Sequence, residues 1–186
     1  MLATPGRLPQ GPDWLYEVRW DGMRLLADVS EGRVRLIGVD GREVTGLLPE
    51  LDELRAVAPD VLLDGEAVVL ADGVPSPRAL AERLRGNPQW PVMYLVTDVL
   101  RLYGVSLLER PLGERRDTLE RLNFARVRRA QLSPVYADGP ALLTAVAAQG
   151  MAGVIAKRRH GQYQPGVRSP DWVVVSARPA PVPHRR

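Results

Sequence analysis

An α+β fold is what this sequence predicts, and three observations predict it. Strand-like stretches recur along the chain, divided by Asp-Gly and Glu-Gly pairs that favour tight turns. Helical stretches are interspersed among these antiparallel-type strands. One stretch, 92–100, is apolar almost throughout, as a central strand is.

Taken in order, residues 1–13 are rich in Pro and Gly and read as a leading loop. Strands are expected at 14–20, 24–30 and 33–38, with turns at Asp21-Gly22, Glu31-Gly32 and Asp40-Gly41. Residues 48–57 have helical spacing and stop before Pro59. A strand at 61–70 is expected to break at Asp64-Gly65-Glu66 and to close at Asp72-Gly73. Ser76-Pro77 opens a short helix over 78–84, because proline suits a first helical turn. The apolar strand 92–100 leads to an Arg- and Glu-rich amphipathic helix over 112–122. A short strand at 131–135, an Ala/Leu helix over 140–149 ended by Gly150, and strands at 154–157 and 172–175 complete the domain. Residues 1–177 form the folded unit, and 178–186, with Pro179, Pro181 and Pro183 before His184-Arg185-Arg186, read as a loose basic tail.

Composition narrows the chemistry. A chain of 186 residues with 45% hydrophobic content can bury a core. No apolar run approaches a membrane span and no basic-plus-apolar leader is present, so the expected location is the cytoplasm. With no cysteine, thiol nucleophiles, thiolate metal sites and disulfides are excluded together. Two histidines, His160 and His184, leave little for a Ser-His-Asp triad or a His-based zinc site. The net charge of +3 is compatible with nucleic acid without demanding it. Lys157 is the only lysine, so the basic character is almost all arginine. That bias matters, because arginine stays protonated and is a poor nucleophile, whereas a lysine can be tuned.

The richest stretch is Trp14-Leu15-Tyr16-Glu17-Val18-Arg19-Trp20-Asp21-Gly22-Met23-Arg24. Residues two apart share a strand face, so Glu17, Arg19 and Asp21 line one side and Arg24 returns from the next strand. A surface strand with alternating charges is the plain alternative, worth little in energy. The stretch resembles ATP-dependent DNA ligases, especially the bacterial end-joining type, which carry Glu-x-Lys-x-Asp-Gly-x-Arg behind an aromatic-rich lead. Further stretches continue the resemblance in order: Asp64-Gly65-Glu66; Thr97-Asp98-Val99-Leu100; Arg110-Pro111-Leu112; Ala152-Gly153 through Lys157; and Tyr163-x-Pro165-Gly166-x-Arg168-Ser169-x-Asp171-Trp172.

The resemblance implies a nucleotidyltransferase (adenylation) domain: antiparallel sheets with flanking helices around a nucleotide cleft. It implies ATP and Mg²⁺ as cofactors, and nicked or broken DNA, or an active ligase or another end-joining protein, as partners. The family normally adds an OB-fold, which this sequence does not reach. The resemblance places the nucleotide on Glu17, Arg24, Glu66 and Lys157, and the metal on Asp64, Glu66 and Asp98. It also exposes departures. Arg19 stands where the family has its nucleophilic lysine, and a delocalised cation does not form the lysyl phosphoramidate. Thr97 replaces an aromatic that stacks on adenine, Ala152 replaces a glutamate, and Val39 replaces an arginine. Val174 and Ser176 replace two lysines that grip phosphates. Groups that act as a unit fail as a unit, so the sequence predicts a non-catalytic binding module. The alternatives are an active adenylyltransferase with an altered site and a folded relic with no ligand.

Overall fold

The computed structural model describes residues 1–177. The expected tail at 178–186 lies outside the described residues.

Two sheets face one another. The smaller has four strands in the order β1 (Leu2–Pro5), β11 (Arg168–Ser176), β10 (Gly153–Arg158), β2 (Trp14–Val18). The larger runs β4 (Arg33–Gly38), β3 (Met23–Ser30), β5 (Val61–Ala71), β7 (Val92–Leu102), β8 (Val105–Ser106), with β6 (Val74–Pro75) added to β5 and β9 (Ala130–Leu132) to β7. Pairing is antiparallel except at β1 with β11 and β7 with β9, so the sheets are mixed rather than wholly antiparallel. Helices α1 (Pro77–Leu84), α2 (Leu112–Glu120) and α3 (Gly139–Ala148) flank them. Ser76 accepts a hydrogen bond from the Ala79 amide and Asp138 from the Ala141 amide, each capping a helix that has proline in its first turn. Among the described residues no helix is long and apolar enough to cross a membrane.

The structure corrects several expected elements. The leading loop contains β1, whose backbone joins the edge of the small sheet. The Asp21-Gly22 turn does not close a hairpin; it carries the chain from the small sheet to the large one, since β2 pairs with β10 and β3 with β4 and β5. The turn needs its glycine, because a Cβ at Gly22 would lie 2.5 Å from the carbonyl oxygen of Ala67. β5 is not broken at Asp64-Gly65-Glu66. It runs on, with register shifts against β7 at Leu62/Leu63 and at Asp64/Gly65. Residues Pro49–Ala56 form a 3-10 helix. A three-residue turn brings Leu51 and Leu54, both fully buried, onto one face.

Three apolar clusters follow. The largest lies on the face of the large sheet turned away from the small one, where Leu25, Ala27, Leu36 and Leu63 meet Leu51, Leu54, Leu80 and Leu119. A second packs Tyr16, Val18, Val154 and Ala156 of the small sheet against Leu142 and Val146 of α3. The third, Met1, Leu100, Tyr163 and Trp172, joins the two sheets at one end of the space between them.

Candidate functional site

Between the sheets the polar side chains converge. The large sheet supplies Arg24 from β3, Asp64 and Glu66 from β5 and Thr97 from β7; the small sheet supplies Glu17, Ile155, Lys157 and Trp172. Arg24 stands opposite Glu66 in register, yet it reaches diagonally to Asp64. Its Nε and Nη2 donate to the two Asp64 oxygens at 3.0 and 2.6 Å. Nη1 donates to the Met1 carbonyl at 2.6 Å, and Nη2 also to the Tyr163 hydroxyl at 3.1 Å. That hydroxyl in turn donates to Asp64 Oδ2 at 2.8 Å. Tyr163 thereby ties the loop after β10 to the large sheet.

Burial works against every charge here, and the pairing decides the outcome. For Asp64 the desolvation cost is outweighed by the Arg24 bonds, so its carboxyl is held below the usual range. For Arg24 the same bonds more than offset burial and raise its pKa. Burial pushes the Tyr163 phenol up, helped by the Asp64 charge. Burial also pushes the Glu66 carboxyl up, only partly opposed by the Gly22 amide that donates to it at 2.9 Å.

The lysine is equally committed. Lys157 Nζ lies 2.7 Å from Glu17 Oε1 and 4.5 Å from the centre of the Trp172 ring. Both members of that pair are nearly inaccessible, and Glu17 Oε2 has no hydrogen-bond partner. Arg19 behaves differently. Its guanidinium is 39% exposed, lies 3.3 Å from Asp21, and does not line the space that Lys157 lines.

The expected metal set is not assembled. Asp64 is occupied by Arg24 and Tyr163, and Asp98 is clasped by Arg115 at 2.9 and 2.8 Å and accepts from the Val99 amide. A divalent cation would have to displace guanidinium groups, and no cluster of three or more His, Cys, Asp or Glu suited to a metal occurs among the described residues. The nucleotide set, Glu17, Arg24, Glu66 and Lys157, does come together, but around a space of only about 60 Å³. Small-molecule sites span about 300–1,000 Å³, so the closed space these four residues share is too small for a nucleotide. Beyond the Arg24–Asp64 pair the cleft widens into a groove of about 540 Å³ floored by Leu26, Ile37, Leu62 and Leu100. Val39 stands on its rim, 77% exposed, and Thr97 donates from the cavity wall to the Asp64 carbonyl at 3.2 Å. Sequence reasoning quoted Tyr163 and Trp172 within a motif but gave them no role; two aromatics in a stretch otherwise poor in them were the signal.

Comparison with known proteins identifies the family and the fold. A family model described as the ATP dependent DNA ligase domain matches residues 6–175. The multifunctional non-homologous end joining DNA repair protein LigD of Mycobacterium tuberculosis is 41% identical over 182 residues, covering 93% of this chain and 23% of that protein. LigD of Pseudomonas aeruginosa is 35% identical over 179 residues, 92% of this chain and 21% of that protein. The chain therefore spans less than a quarter of the length of these LigD proteins. The crystal structure of the ligase domain of M. tuberculosis LigD superposes with a TM-score of 0.84 at 36% identity, covering 94% of this chain and 58% of that one. A mycobacterial DNA ligase D in complex with ATP and MES gives 0.82 with the same identity and coverage.

Proposed function

This chain belongs to the ATP-dependent DNA ligase family, and on that premise we propose that residues 1–177 are a LigD-type adenylation domain that has lost self-adenylylation. The observation that carries the proposal is the guanidinium of Arg19, paired with Asp21, at the position that matches the family's nucleophilic lysine. A nucleophile needs a lone pair aimed at the α-phosphate, and a guanidinium has none to offer at neutral pH. The only lysine, Lys157, is buried against Glu17 and Trp172. Arg24, Asp64 and Tyr163 then act as a clasp between strands and loop rather than as a nucleotide clamp.

On this reading the domain works in the cytoplasm as a non-catalytic part of end joining, engaging broken or nicked DNA or an active ligase. ATP and Mg²⁺, if they bind, compete with the Arg24–Asp64 pair that borders the wider groove. Intact-protein mass spectrometry after incubation with ATP and Mg²⁺ or Mn²⁺ tests the proposal. The expected spectrum shows no AMP adduct, for the wild type and for Arg19→Lys alike. An adduct on the wild type overturns the proposal and establishes the alternative, an active adenylyltransferase, with Lys157 as the residue to map.

A further inference from the structure

The stretch 121–129 contains Arg121, Arg126, Arg128 and Arg129. None of their side chains has an ion pair or a side-chain hydrogen bond among the described residues. Elsewhere the arginines are commonly partnered, as Arg24, Arg83, Arg101, Arg115 and Arg116 are. The stretch is well anchored. Val127 belongs to the main core, with Leu122 and Phe124 packed against it. The Asn123 side chain accepts from the Ala125 amide at 3.0 Å, and Val127 donates to the Phe124 carbonyl at 3.0 Å. The Arg129 amide donates to Glu53, and its carbonyl accepts from Tyr94 at 2.7 Å.

The apolar side chains therefore point inward, while Arg121, Arg126 and Arg128 are exposed and Arg129 is half-buried. The core that holds them lies on the face of the large sheet away from the small one, so the loop stands on the opposite side of the domain from the cleft. Nearby carboxylates are engaged: Glu120 with Arg116, and Glu53 with the Arg129 amide. Asp117, exposed on α2, offsets part of the charge. Arg121 ends α2, where the helix dipole favours a cation in any case, so Arg126, Arg128 and Arg129 carry the case.

We propose that this loop is a second nucleic-acid contact, binding the phosphate backbone of duplex DNA independently of the cleft. A protein partner would need an apolar centre to desolvate, and the apolar residues of this loop are turned into the core. Phosphate contact needs only fixed positive charge and carries no sequence preference.

The test is fluorescence anisotropy of the full chain with a labelled duplex of about 20 base pairs across a salt series, each contact being worth about 0.9 in the logarithmic salt slope. Arg126→Gln/Arg128→Gln/Arg129→Gln is expected to weaken binding about tenfold or more at low salt and to flatten the slope by about 2–3. A charge-matched control on other exposed sites, Arg7→Gln/Arg33→Gln/Arg159→Gln, is expected to keep most of both. Equal losses in the two variants overturn the proposal, because net charge alone would then explain them. So does a wild type that does not bind DNA, or a loop that binds a poly-glutamate peptide in preference to it. Should the triple variant unfold, Arg126→Gln/Arg128→Gln, both exposed, is expected to show about two-thirds of the slope change.

Discussion

Asp64 and Asp98 face each other across β5 and β7, and each holds a guanidinium through two bonds. Their surroundings differ. The Arg115–Asp98 pair is wholly inaccessible at both side chains, and Arg115 spends its remaining donors on the carbonyls of Arg110 and Gly161. That pair fastens α2 to the central strand. The Arg24–Asp64 pair is open on the arginine side, 26% exposed, and shares its oxygens with a phenol. One pair is scaffold. The other borders both the closed space and the wider groove, and is where an incoming ligand would have to compete. Identical chemistry on neighbouring strands thus takes on different work according to which side water can reach.

Breaking the inner pair should have the largest effect. Arg115→Ala leaves the Asp98 charge buried without a partner, and such losses cost about 3–5 kcal/mol. For a domain of this size that lowers Tm by roughly 6–20 °C. A urea melt showing a loss no larger than that of Asp64→Asn would place the two pairs in the same class.

Asp64→Asn should cost less, about 2 kcal/mol, because the released guanidinium keeps some water. The same variant should change the acid limb. Asp64 and Asp28 are both held below their ordinary value of 3.8, in each case because guanidinium bonds outweigh burial. An acid with a lowered folded pKa contributes stability that is complete above 3.8 and is lost as pH falls through the folded value. Urea midpoints measured from neutral pH down to about 2.5 should therefore fall less steeply in Asp64→Asn than in the wild type. Glu66 has the opposite sign. Its raised carboxyl makes the folded state bind the extra proton, so stability declines as pH rises above 4.5, and Glu66→Gln should remove that decline.

The smallest effect sharpens the comparison. Tyr163→Phe removes one hydroxyl from the outer pair and leaves the inner pair untouched. A loss of about 1 kcal/mol is expected, with the acid limb of the Asp64 titration shifted upward, since the phenol helps hold that carboxyl down. An unchanged acid limb would mean that the cations Arg24 and Lys157 set the charge state of Asp64 without the phenol.

Much of this architecture was legible beforehand. The Asp-Gly and Glu-Gly turns, the apolar run at 92–100 and the capped helices lie where local chemistry puts them, because turn geometry and helix caps are set by residues a few positions apart. The leading strand β1 was hidden, since four residues in a Pro/Gly-rich segment become a strand only when β11 offers its edge. The bulge in β5 was only partly visible: a glycine inside a strand suggests one at Gly65, but the register shift belongs to a pair of strands and not to one. It brings Gly65 so close to β7 that a Cβ there would lie 2.5 Å from the Leu95 carbonyl.

By itself the sequence determined the α+β class, the order of most elements, the family resemblance and the guanidinium at position 19, all of which depend on residue type and on spacing along the chain. Only the tertiary structure decided that Arg24 takes Asp64 rather than its register partner Glu66, that Asp98 belongs to Arg115, and that Lys157 is spent on Glu17. Each of those choices joins side chains far apart in the chain. In a low-dielectric interior every buried charge must find its partner by position, and positions across two sheets are not written in the spacing of either strand.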